Sequence, residues 1–121
     1  MNNKTIESEV SSLLVSIGIL PNLLGYHFIC ESVKQTIDDP GLMRAITTKL
    51  YPQIARSQNT TASRVERAIR HAIEVCWSRG RIEMINKTFN VKAFTPSEKP
   101  TNAEFIAFVA DRMLLANTQA S

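Results

Sequence analysis

No apolar run in the chain approaches the roughly 18 residues a membrane span requires. The N-terminus, Met1-Asn2-Asn3-Lys4, lacks the apolar stretch of a signal peptide. A soluble, cytoplasmic protein is expected, with no membrane partner. Glycine is scarce at four residues, and the chain holds no phosphate-cradling glycine loop and no dinucleotide fingerprint. HExxH is absent too. Cysteine is limited to Cys30 and Cys76, both in apolar-periodic stretches and far apart. Such a pair makes neither a disulfide framework nor a metal site, so both are read as small core residues. The two histidines, His27 and His71, offer only isolated helical pairs with Cys30 and Glu74. No catalytic site, cofactor or metal is therefore expected.

Hydrophobic residues make up 44% of the 121, enough for one domain with an ordinary core. No repeat and no strand-like alternation of useful length occurs. Helical periodicity dominates. Ile6, Val10, Leu13, Leu14 and Ile17 form a first stripe, with Gly18 placed to end that helix in the left-handed conformation. Pro21 suits the start of a second helix, carrying Tyr26, Ile29, Cys30, Val33 and Ile37, with Gly25 inside it. Asp38-Asp39-Pro40-Gly41 breaks the pattern and offers Asp39 as a cap. A third stripe follows in Leu42, Met43, Ile46 and Leu50. Pro52 opens a short fourth segment with Ile54 and Ala55. Gln58-Asn59-Thr60-Thr61 reads as a turn, and a long helix then runs to Gly80. A shorter one holds Ile82, Met84, Ile85 and Phe89. Residues 90–100 read as a loop. Thr101-Asn102-Ala103-Glu104 is a capping box opening the last helix, whose inner face is Phe105, Ile106, Phe108, Val109 and Met113.

The formal charge of +3 matters less than its placement. Residues 1–50 carry one more acid than base. Residues 51–81 carry Arg56, Arg64, Arg67, Arg70, Arg79 and Arg81 against Glu66 and Glu74 alone. Arginine is suited to forked contacts with phosphate and guanine, so the block is a footprint for a polyanion. At 100° per residue, Ala62, Val65, Ala68, Ile69, Ala72, Ile73, Val75 and Cys76 fall on one half of the long helix. Ser63, Arg64, Glu66, Arg67, Arg70, His71, Glu74 and Ser78 fall on the other, with Trp77 at the boundary. A solvated charged face alone gives such a pattern.

The upstream context adds to it. Ala55 precedes Val65 by ten residues across a tight polar turn, the spacing of a helix-turn-helix. Asn59 stands where glycine is usual and tolerates the left-handed backbone. Side chains at the start of the second helix then face base edges: Arg64 and Arg67 to guanine, Glu66 to cytosine. Thr60, Thr61 and Ser63 suit phosphates at a helix N-terminus. Ser63 with Glu66 also fits a capping box, leaving Glu66 two jobs, cap or base reader. A membrane-surface or acidic-protein-binding helix is the rival reading. Its free face calls for Trp, Phe or Leu, whereas this apolar half is rich in alanine, valine and isoleucine and suits close packing.

The stretch Leu50-Tyr51-Pro52, the run from Asn59 through Val75, Trp77-Ser78-Arg79-Gly80, Lys99-Pro100-Thr101-Asn102 and Glu104-Phe105-Ile106-Ala107 resembles the C-terminal effector domain of the stage-zero sporulation protein A family. These are response regulators of endospore-forming bacteria. The resemblance covers nearly the whole chain, more loosely before Leu50 and between Met84 and Glu98. It implies an all-α, six-helix single domain with a helix-turn-helix, so two of the seven segments above are expected to merge, either the third and fourth or the second and third. It implies binding to double-stranded DNA through the major groove at short promoter boxes, with both activation and repression. The base readers it implies are Arg64, Glu66 and Arg67, with Arg56, Asn59, Thr60, Thr61, Ser63, Arg70 and His71 near the backbone. It further implies a sigma-factor contact around Gly80, Arg81, Glu83, Lys87 and Phe89, and head-to-tail self-association on tandem boxes. Nothing in the sequence resembles the family's phospho-accepting receiver domain. The expectation is one effector domain over residues 1–121, with a linker remnant at 1–4, a frayed tail at 116–121 and a nucleoid location.

Overall fold

The computed structural model describes the backbone of residues 3–120 and the side chains of residues 5–116. Six α-helices make one all-helical domain: α1 (Asn3–Ser16), α2 (Leu24–Asp38), α3 (Tyr51–Ser57), α4 (Ala62–Ser78), α5 (Met84–Phe89) and α6 (Asn102–Ala120). No strand is present among the described residues; a lone bridge pairs Thr95 with Glu98. α1 begins within the expected linker remnant and α6 runs through the stretch expected to fray. Met1, Asn2 and Ser121 lie outside the described residues.

The third apolar stripe forms no α-helix of its own. Pro40–Arg44 is a 3-10 turn and Ile46–Leu50 a π turn that runs directly into α3. Merging of the third and fourth segments is thus the alternative realised, in irregular form. Asp39 precedes the 3-10 turn but its side chain makes no capping bond. Pro21 does not open α2, which starts at Leu24 after a turn. Instead the Pro21 carbonyl is 3.0 Å from His27 Nε2.

Four helices end by one device. Gly18, Asn59, Gly80 and Asn90 all have positive φ. Just beyond each, an amide reaches back five residues: Ile19 to Leu14, Thr60 to Ala55, Arg81 to Cys76 and Val91 to Asn86. This closes the helix in the Schellman manner, satisfying carbonyls the helix leaves free.

α2 is the central helix, packed against α1, α3, α4 and α6. Its buried line is Gly25, Phe28, Ile29, Ser32, Val33 and Thr36, rotated from the expected stripe. Of that stripe, Tyr26, Cys30 and Ile37 are only half-buried. A helix flanked on several sides buries more than one face, so Ser32 lies inside and donates to the Phe28 carbonyl at 2.6 Å. Gly25 is where α4 comes closest. A Cβ there would lie 2.3 Å from the Ala68 carbonyl oxygen and 2.7 Å from Ala72 Cβ. Small residues at 25, 68 and 72 therefore set the depth at which α4 beds onto α2.

The 90–100 loop is tied down. Asn86 Oδ1 accepts from the amides of Ala93 and Phe94, and Asn86 Nδ2 donates to the Phe94 carbonyl at 2.8 Å. Phe94 then packs edge-on against Phe108 of α6. The capping box at α6 forms as expected, with Glu104 N donating to Thr101 Oγ1 at 3.1 Å and Thr101 N donating to Glu104 Oε1 at 2.9 Å.

Candidate nucleic-acid interface

α3, the turn and α4 form a helix-turn-helix. Ala55 and Val65 are both buried at the crossing. Asn59 takes the left-handed conformation with φ 55°, and the Thr60 amide closes α3 on the Ala55 carbonyl at 2.9 Å. A β-branched residue at position 59 would be strained there, whereas asparagine is tolerated.

α4 starts at Ala62, capped by Thr61, whose Oγ1 accepts from the Arg64 amide at 3.2 Å. The expected box of Ser63 with Glu66 does not form, because Ser63 is already the second residue of the helix. That removes capping as a job for Glu66. Thr61 keeps its hydroxyl proton free to donate outward. The Ala62 and Ser63 amides precede the first intrahelical bond and point out of the helix end, a natural seat for a phosphate oxygen.

Val65, Ile69, Ala72, Ile73 and Cys76 are buried. Ser63, Arg64, Arg67, Arg70 and His71 are exposed. At 17 residues the helix is about 25 Å long, long enough to lie along a major groove, whose width admits one helix. Among the described residues, Arg56, Arg64 and Arg67 have no ion pair, and Arg70 Nε stands 3.4 Å from Glu66 Oε1. This exposed pair is worth about 0.3–0.5 kcal/mol, so Glu66 can exchange Arg70 for another donor at little cost. Arg56 and Asn59 are exposed and Thr60 is half-buried beside them. All the residues expected at base edges and backbone thus lie on one element pair, at or near the exposed start of α4.

The residues expected to contact a sigma factor lie apart, in the turn before α5 and on α5. Gly80, Arg81, Glu83 and Lys87 are exposed. Phe89 is half-buried, its ring edge-on to Phe108 at 5.9 Å, so it braces α5 and offers little surface. Trp77 is half-buried at the core edge.

Burial pushes the Cys76 thiol up to about 12 and the Cys30 thiol up to about 11. Both are free and stay protonated near neutrality; Cys76 is buried in the core as expected, whereas Cys30 is only half-buried at its edge. Among the described residues no group of His, Cys, Asp or Glu is placed to hold a metal, and no helix is long and apolar enough to cross a membrane.

Two features of the site escape sequence reasoning. Gly25 is the second residue of α2, and its partner helix is invisible from its own neighbours. Asn102 donates from Nδ2 both to Tyr51 Oη of α3 at 3.1 Å and to the Glu66 carbonyl of α4 at 3.0 Å. A faint signal existed for Asn102: a poor helix former in the first turn of a helix whose cap was already supplied by Thr101 and Glu104.

Compared with known protein families, residues 10–113 match the family model described as sporulation initiation factor Spo0A C terminal.

Proposed function

The chain belongs to the Spo0A C-terminal family of sporulation-initiation DNA-binding domains, and from that premise we propose that it reads promoter sequence with the first two turns of α4. Arg64 and Arg67 are the base readers, each forking onto guanine, and Glu66 accepts from cytosine after releasing Arg70. Arg56, Asn59, Thr60, Thr61, Ser63, Arg70 and His71 hold the sugar-phosphate backbone and fix the register. The observation that carries this reading is the exposure of Arg64 and Arg67 without an ion pair, directly behind the helix-turn-helix turn. Charges left free at that place are available to a polyanion without breaking an existing contact.

The domain acts on short boxes and both activates and represses. Activation runs through Gly80, Arg81, Glu83 and Lys87, which touch the sigma factor of RNA polymerase, with Phe89 bracing them. The position of this group on a different element from Arg64 and Arg67 supports two separable surfaces. Two copies sit head-to-tail on tandem boxes. The working place is the bacterial nucleoid, as part of a two-component response regulator.

The test is a set of duplexes carrying the family's box with each base pair replaced in turn. The native chain should show sharp losses at particular positions, and Arg64→Ala should flatten the response at one guanine. A flat profile for the native chain would overturn the proposal and favour an acidic protein as the partner of the basic face.

A further inference from the structure

The N-terminus of α6 is strapped across α4, and we infer that Asn102 is a positioning residue for DNA reading, aligning the base-reading turns of α4 with the rest of the helix-turn-helix. This rests on the reading of α4 given above and adds to it a residue from outside the helix-turn-helix.

The argument begins with the local chemistry. Asn102 is the first residue of α6, and the cap of that helix is complete without it. Its amide has two N–H groups and both have acceptors, Tyr51 Oη and the Glu66 carbonyl. A carbonyl only accepts, so the orientation of the Asn102 amide is fixed by its partner. The two acceptors belong to the two helices of the helix-turn-helix. One side chain therefore spans α3 and α4 from a third element.

The energetics favour alignment over stability. The Glu66 carbonyl lies inside α4, where it also serves the helix ladder, so losing Asn102 does not orphan it. Tyr51 is buried but borders a groove shared with Thr47, Arg70 and Lys99, and its hydroxyl, which can donate as well as accept, is not bound to one partner as an amide is. What is lost is direction. Glu66 stands between Arg64 and Arg67, so a bond to its carbonyl holds the backbone from which all three base readers project. A second tie runs parallel: Lys99 Nζ pairs with Glu74 Oε2 two turns further along α4. Both partners of that tie are more than a third exposed, which leaves Asn102 as the half-buried, directional anchor.

The experiment compares the native chain with Asn102→Ala and Tyr51→Phe at a temperature where circular dichroism shows all three folded. A pool of random duplexes is first enriched on the native chain, and affinity is then measured for the enriched duplex and for the starting pool. Residual dipolar couplings of the α4 amides in the free proteins report the orientation of α4 against α2. Asn102→Ala should lose at least about fivefold on the enriched duplex and little on the starting pool, with the α4 couplings shifting as a group. Tyr51→Phe keeps the bond to Glu66 but loses the tie to α3, and should fall between the native chain and Asn102→Ala. Unchanged α4 couplings in Asn102→Ala overturn the inference, as does an unchanged affinity ratio on a duplex that the native chain prefers. If enrichment yields no preferred duplex while the couplings shift, base reading fails and the alignment of α4 by Asn102 stands.

Discussion

Single residues carry distinct kinds of consequence here. Arg64 and Arg67 project from the first turns of α4 without ion pairs, so Arg64→Ala or Arg67→Ala should cost about 1–3 kcal/mol on the preferred duplex and relax the preference at one position. Competition titrations check this, and equal losses on preferred and scrambled duplexes would reassign them to phosphates. Arg70 and His71 sit one turn further on and should behave differently. Replacing either should weaken binding uniformly and, for Arg70, lower the salt slope by about one. Gly25 acts through packing instead. A Cβ there meets the Ala68 carbonyl oxygen at 2.3 Å, and backbone cannot step aside as a side-chain tip can. Gly25→Ala should therefore destabilise the domain by about 1–3 kcal/mol, read as a lower urea midpoint, and an unchanged midpoint would mean that α2 and α4 slide apart freely. Glu104 contributes a pH effect. Hydrogen bonds from the Thr101 amide and side chain hold its carboxyl below the ordinary value of 4.5. A carboxyl lowered in the folded state stabilises fully above its unfolded value and loses that contribution as pH falls through the folded one. Stability should thus fall with acidification below about pH 4.5, and Glu104→Gln should remove part of that slope in melts across pH 3–6.

Elements show where sequence pattern and packing diverge. α1, α4 and α6 were legible because each has one apolar stripe, one clear stop or cap, and a polar far side. The turn of the helix-turn-helix was legible because its asparagine and threonines are turn formers at the right spacing. The helical rhythm of α2 shows in the sequence but its buried line does not, since a helix contacted by four others has no single hydrophobic face to read. The segment from Pro40 to Leu50 was apolar in a helical rhythm yet folds as a 3-10 turn and a π turn. Hydrophobic spacing there reflects what must be buried, and the backbone meets that demand without a regular helix. α4 starts at Ala62, as its apolar face implies; only the cap differs, Thr61 in place of Ser63, because both are good caps and the path of the preceding turn decides between them. The exposed face of α4 was read correctly as a face. The Asn102 strap was not legible, because its partners lie 51 and 36 residues away in sequence and nothing local marks them.

At the scale of the whole molecule, the domain presents a basic helix on one element and a second exposed group before and on α5. The second group follows directly on the C-terminal end of α4, where the Arg81 amide bonds the Cys76 carbonyl, whereas Arg64 and Arg67 lie toward the opposite end of that helix. Changes at Arg81, Glu83 or Lys87 should therefore impair transcription activation while sparing DNA binding, checked by pairing in vitro transcription with binding on the same promoter fragment. A matched loss of both would mean a single surface. The central claim, that the free arginines of α4 recognise DNA sequence, is tested most directly by one titration. The native chain is bound to a duplex carrying the family's box and to a scrambled duplex of the same composition, across a series of salt concentrations. The account predicts a clear preference for the box at every salt, with both affinities falling as salt rises because phosphate contacts release counterions. Equal affinity for the two duplexes throughout the series would contradict it.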